Sequence, residues 1–174
     1  MSTQAIGAAA AGTAILGGGG TLAAYAAGAF EGEVKYADFD DYVKRGGRYK
    51  YIGQGDDVTD NDPTEGKIRE FLKGSDTSNK ATYKGNLKSQ LTKMNLNPED
   101  SQTPRPSEQE IDDSGNTEKD TETGKVAKFV SKWCIQNKNK KPTSDNGKTK
   151  FAEKEIKAHE NWSKFEVACL KAVT

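Results

Sequence analysis

Apolar residues in this chain fall into short periodic groups separated by long polar stretches. Tyr36, Phe39 and Tyr42 recur every third residue, predicting one side of a short helix that Lys44-Arg45-Gly46-Gly47 ends. Arg48 to Ile52 alternates and reads as a short strand. Asp62 before Pro63 fits an N-cap followed by proline at the first helical position, opening a helix to about Gly74 with Ile68, Phe71 and Leu72 inward. Tyr83, Leu87, Leu91 and Met94, spaced four, four and three, predict another helix from about Lys80 to Asn95. Val126, Phe129, Val130, Trp133 and Cys134 fall at i, i+3, i+4, i+7 and i+8. After a polar loop from Asn137 to Lys148, a longer helix is expected from Thr149, with the stripe Phe151, Glu155, Ala158, Trp162, Phe165, Cys169 and Ala172. Two such stripes predict an antiparallel pair packed along a seam, its core being Val126, Phe129, Val130, Trp133, Phe151, Trp162 and Phe165.

The first thirty residues follow another rule. They carry no charged side chain, and Ala5 to Phe30 is mostly alanine and glycine with Ile6, Ile15, Leu16 and Leu22 among them. As a helix this run would span about 39 Å, enough for a hydrocarbon core of about 30 Å. Gly17 to Gly20 would break a helix in water, but inside lipid the backbone must satisfy its own hydrogen bonds. A membrane anchor is therefore expected. A cleaved signal peptide is the alternative, since Ala24-Tyr25-Ala26 and Ala27-Gly28-Ala29 fit small-x-small sites, although no Lys or Arg precedes the apolar run.

Charge divides the remainder. Residues 31–96 hold 12 basic and 12 acidic side chains, 97–122 hold 2 and 9, and 123–174 hold 12 and 5. The middle stretch has three prolines and one strongly apolar residue, Ile111, so it is expected to be a disordered acidic linker whose charge can lie against the basic end. The expected fold is thus mainly α in four parts: an N-terminal membrane helix or signal segment (1–30), a small helical module (31–96), the linker (97–122) and the C-terminal helix pair (123–174). With 33% hydrophobic residues, many in the alanine-rich start, the polar part has a small core.

Cys134 and Cys169, the two thiols, lie on helices expected to be neighbours. A disulfide outside the cell would contribute about 3 to 4 kcal/mol for a loop of this length. Two buried free thiols are the alternative. No catalytic, cofactor or metal site is expected. Gly18-x-Gly20-x-x-Ala23 lacks the surrounding βαβ pattern, and a calcium-loop frame from Asp60 places Glu65 sixth and Phe71 twelfth. His159 has no nucleophile motif beside it and is expected at a rim, four residues after Glu155. Lys138, Lys140 and Lys141 leave open a cytoplasmic basic module for nucleic acid or anionic lipid, but aromatics facing the core weaken base stacking.

The uncharged Ala/Gly-rich start, the Lys-rich body, the Trp133-Cys134 pair and a closing helix with Trp162 and Cys169 resemble the uncharacterised paralogous surface and membrane proteins of haemotropic mycoplasmas. That resemblance implies membrane association, an extracellular body, and host contact or antigenic variation without catalysis. Expected partners are the membrane and a host or other surface protein; the chain would be secreted if the start were cleaved.

Overall fold

The computed structural model describes residues 33–54, 62–143 and 147–173. The chain divides into Met1–Glu31 and Gly32–Thr174. The expected membrane segment at 1–30 and the acidic residues Asp56, Asp57 and Asp60 lie outside the described residues. Among those described, no helix is long and apolar enough to cross a membrane.

The order of elements is β1 (Lys35–Tyr36), α1 (Phe39–Gly46), β2 (Tyr49–Tyr51), α2 (Glu65–Lys73), α3 (Thr77–Leu91), a 3-10 turn (Pro98–Asp100), α4 (Glu108–Asp113), α5 (Asp120–Asn137), β3 (Phe151–Ala152), α6 (Glu153–Lys157), α7 (Trp162–Cys169) and β4 (Leu170–Ala172). The architecture is mainly helical, with two small antiparallel strand pairs among the described residues. In one, Tyr36 faces Phe151; in the other, Tyr49, Lys50 and Tyr51 face Ala172, Lys171 and Leu170.

Local chemistry sets the helix ends. The Asp38 carboxylate accepts from the Asp41 N–H, and Gly47, at φ 68°, closes α1. Tyr36 therefore precedes the helix and sits in a strand, although it is buried with Phe39 and Tyr42 as its spacing indicated. The cap of α2 is Thr64 rather than Asp62. Its hydroxyl reaches the Lys67 N–H, while the Asp62 carboxylate turns to Lys138 at 2.6 Å. Ile68 and Leu72 are buried and Phe71 half-buried. Asp76 caps α3, which starts three residues before Lys80 and ends at Leu91; Tyr83, Leu87, Leu91 and Met94 are all buried.

Two larger expectations need correction. Residues 97–122 are ordered. Ser107 and Glu110 form a reciprocal capping box that starts α4, and Thr103, Ile111 and Ser114 are buried. The acidic charge is matched by bases on its neighbours: Lys132 to Asp100, Lys125 to Glu110, Lys88 to Asp112, and Arg69 with Lys73 to Asp120. Composition had indicated disorder because these partners are distant in sequence. Lys125 and Lys132 do bring the acidic stretch onto the basic end.

The closing helix is also broken. Phe151 belongs to β3, α6 lasts five residues, and α7 restarts at Trp162. Between them the Asn161 N–H donates to Nδ1 of His159 at 3.0 Å, leaving the helical ladder. The expected isolated helix pair is instead part of one core. That core joins Phe39, Tyr42 and Tyr51 from the first part to Ile111 and to Val126, Phe129, Val130, Trp133, Phe151, Trp162 and Phe165. Helix α5 also buries Thr123, Ala127 and Ser131, more than a single stripe, because α2, α4 and α7 surround it.

Gly53 and Gly115 hold φ of 74° and 81°, and a Cβ on either would run into the backbone carbonyl of Lys67 or Leu72. Gly85 of α3 faces open space. Gly53→Ala and Gly115→Ala should each cost about 2 kcal/mol or more in urea unfolding, while Gly85→Ala should add up to about 1 kcal/mol. Equal stability of Gly115→Ala and the parent chain would contradict the close approach of the α4–α5 turn to α2.

Candidate functional site

Helices α3 and α7, with β2 and β4, leave a groove of about 590 Å³. Its position follows from how α3 is packed. Tyr83, Leu87 and Leu91 form its one buried row, so Asn79, Thr82 and Asn86, at i, i+3 and i+7, stand outward along the groove. The Tyr83 hydroxyl crosses the floor and donates to the Ala168 carbonyl at 3.1 Å. Phe71 meets the Tyr83 ring edge-on, with centroids 5.2 Å apart. On the opposite side the Tyr49 hydroxyl donates to Glu166 at 2.6 Å. Lys171 stands across the strand pair from Lys50.

The edge of β4 adjoins this groove. The Ile52 N–H donates to the Cys169 carbonyl at 2.9 Å and the Val173 N–H to the Arg48 carbonyl at 3.0 Å. Alternation along an antiparallel ladder then turns the backbone groups of Leu170 and Ala172 away from β2.

A second hollow of about 350 Å³ runs beside Thr77, Lys80, Ala81, Lys84, Lys88 and Asp112. Two of its three lysines already serve the fold: Lys84 donates to the carbonyls of Asp112 and Ser114 at 2.9 and 2.5 Å, and Lys88 pairs with Asp112. Burial, then the charge of Lys80, holds Lys84 below the usual lysine range. A third cluster surrounds Trp162, whose ring meets Phe39, Tyr42, Tyr49 and Phe165. Lys157 lies 5.8 and 5.7 Å from the Tyr42 and Tyr49 ring centroids. Glu153 accepts from the Tyr42 hydroxyl at 3.0 Å and pairs with Lys157 and Arg48. The Lys157 hydrogen bond, aided by Tyr42, holds its carboxyl below the ordinary range.

No family model, curated protein or solved structure matches the chain. Function must therefore be read from these residues.

Each residue expected in the helix-pair core is buried, but not all share one seam. Trp162 packs on the rings of α1 and β2, and Phe151 faces Tyr36. Cys134 and Cys169 are brought to disulfide distance, with Cα atoms 5.7 Å apart and both side chains buried. His159 is half-buried against Phe39 and contacts Asn161 rather than Glu155. Glu155 instead accepts from the Ala152 N–H and Lys148. Burial holds the imidazole below its usual range. In the lysine loop, Lys138 pairs with Asp62, and the carbonyls of Lys138 and Lys140 accept the N–H groups of Asp40 and Phe39 at the start of α1. Among the described residues no cluster of three His, Cys, Asp or Glu could hold a metal ion.

Burial, followed by the hydrogen bond and charge of Glu166, pushes the Tyr49 hydroxyl up to about 12. Burial likewise raises Tyr42, Tyr51 and Tyr83, and Glu153 and Asp40 add to it at the first two. Unfolded tyrosines titrate near 10. The folded state thus holds these protons more tightly. The resulting stability is complete below about pH 10 and is lost as pH rises through the folded values. A titration followed by tyrosinate absorbance and circular dichroism should show loss of helix together with ionisation above about pH 10. Full tyrosine ionisation near pH 10 with the helical signal unchanged would contradict this burial.

Proposed function

We propose that the protein is a membrane-tethered, non-catalytic binding module whose folded part, residues 32–174, lies outside the cell. The observation that carries this reading is the Cys134–Cys169 pair, held at disulfide distance inside the core between α5 and α7. Such bonds persist in oxidising surroundings and are rare in a reducing cytosol. The uncharged stretch before Glu31 supplies the tether. The groove beside α3 supplies a surface where amide, hydroxyl and aromatic side chains converge. The resemblance to surface proteins of haemotropic mycoplasmas fits the same reading, with host contact or antigenic variation as the role. The lysine loop supports it too: Lys138 is paired with Asp62, leaving fewer cations for a phosphate backbone.

Protease treatment of intact cells, followed by alkylation and non-reducing electrophoresis, tests the proposal. The body should be digested before lysis, and in denaturant neither Cys134 nor Cys169 should alkylate without reductant. A body untouched until lysis, with both thiols free, would place it in the cytoplasm and remove the basis for an outward-facing module.

A further inference from the structure

We propose that the groove between α3 and β4 takes a neutral oligosaccharide. This assignment rests on the reading of the folded part as a binding module and names its ligand. Asn79, Thr82 and Asn86 form the rim. Each carries both a donor and an acceptor, as does every sugar hydroxyl. Asn86 has no side-chain partner among the described residues. Asn79 gives one amide hydrogen to Asp76, and Thr82 donates to the Ser78 carbonyl at 3.1 Å, so the acceptor oxygens of both stay open.

Below the rim lie Tyr83 and Leu170, with Tyr49 and Phe71 half-buried beside them. Aromatic rings with an electron-rich face suit the C–H side of a pyranose. The volume of about 590 Å³ lies within the range of about 300–1,000 Å³ usual for small-ligand sites.

Charge selects among ligand classes. Lys171 and Glu166 are the charged residues lining the groove, and Glu166 is engaged by the Tyr49 hydroxyl. A polyanion needs several cations along its path, and among the described residues this groove offers one. An acyl chain would strip water from Asn79, Thr82 and Asn86 without returning hydrogen bonds. An added peptide strand would find only three residues of β4, with Lys171 at the centre, an arrangement that usually protects an edge from pairing. A ligand with hydroxyls on its rim and C–H groups on its face leaves no such deficit.

The test is calorimetric titration of the full chain, disulfide intact, with maltotriose, cellotriose and tri-N-acetylchitotriose. A heparin hexasaccharide and an extended, valine-rich decapeptide serve as comparators. At least one neutral trisaccharide should bind at concentrations below about 10 mM. The double variant Asn79→Ala/Asn86→Ala should bind it about tenfold more weakly, with its helical circular dichroism retained because both side chains are exposed and alanine favours the helix. No neutral binding, binding that the double variant leaves intact, or binding of heparin or the peptide alone would each overturn the assignment. Those results would leave the tethered module standing, because cell-surface digestion and thiol alkylation do not depend on the sugar.

Discussion

Helix α7 makes contacts in three directions within eight residues and ties α1, β2 and α3 to α5, the helix that α2 and α4 also pack against. Trp162 and Phe165 meet rings from α1 and β2, Cys169 reaches Cys134 on α5, and the Ala168 carbonyl accepts the Tyr83 hydroxyl of α3. Leu170 then continues directly into β4 beside Tyr51. A core of modest size is marginal without such convergence. Ring pairs at these distances contribute about 0.5–1.5 kcal/mol each beyond their burial. A cross-link closing a 35-residue separation adds about 3 to 4 kcal/mol in the chain-entropy account. Together they join segments more than a hundred residues apart.

The same convergence creates the groove. Because α3 buries one row, from Tyr83 to Leu91, its remaining faces are polar, and α7 with β4 closes one side of them. Its floor is therefore fixed by the core through Tyr83 and Ala168, while its rim is free of structural duty at Asn86. A binding surface seated on a rigid floor keeps its geometry without paying for order at each encounter.

Much of this was legible in the sequence wherever a regular period coincided with burial. The rows 83–87–91–94 and 126–129–130–133–134 survive intact, while the strand expected over Arg48 to Ile52 shortens to Tyr49–Tyr51, with Tyr51 and Ile52 both buried. The stripe from Phe151 to Ala172 was misleading because a row of threes and fours says nothing about a side chain that takes a backbone amide, as His159 does from Asn161. The acidic stretch was misread for a related reason. Composition counts the nine acids and Ile111 but not Lys88, Lys125 and Lys132 waiting on other helices, nor that Ile111 of α4 is buried. The groove had no sequence signal. Its residues come from β2, α2, α3 and α7–β4, and Asn79, Thr82 and Asn86 look like any solvated helix face.

One core, built on α5 and α7, holds the acidic stretch and both flanking helical regions together. Native-state hydrogen exchange read by mass spectrometry addresses it most directly. Amides of α4, α5 and α7 should be protected together and should open in the same denaturant range, as one cooperative unit. Exchange of residues 97–119 at unfolded-chain rates while α5 and α7 stay protected would contradict it.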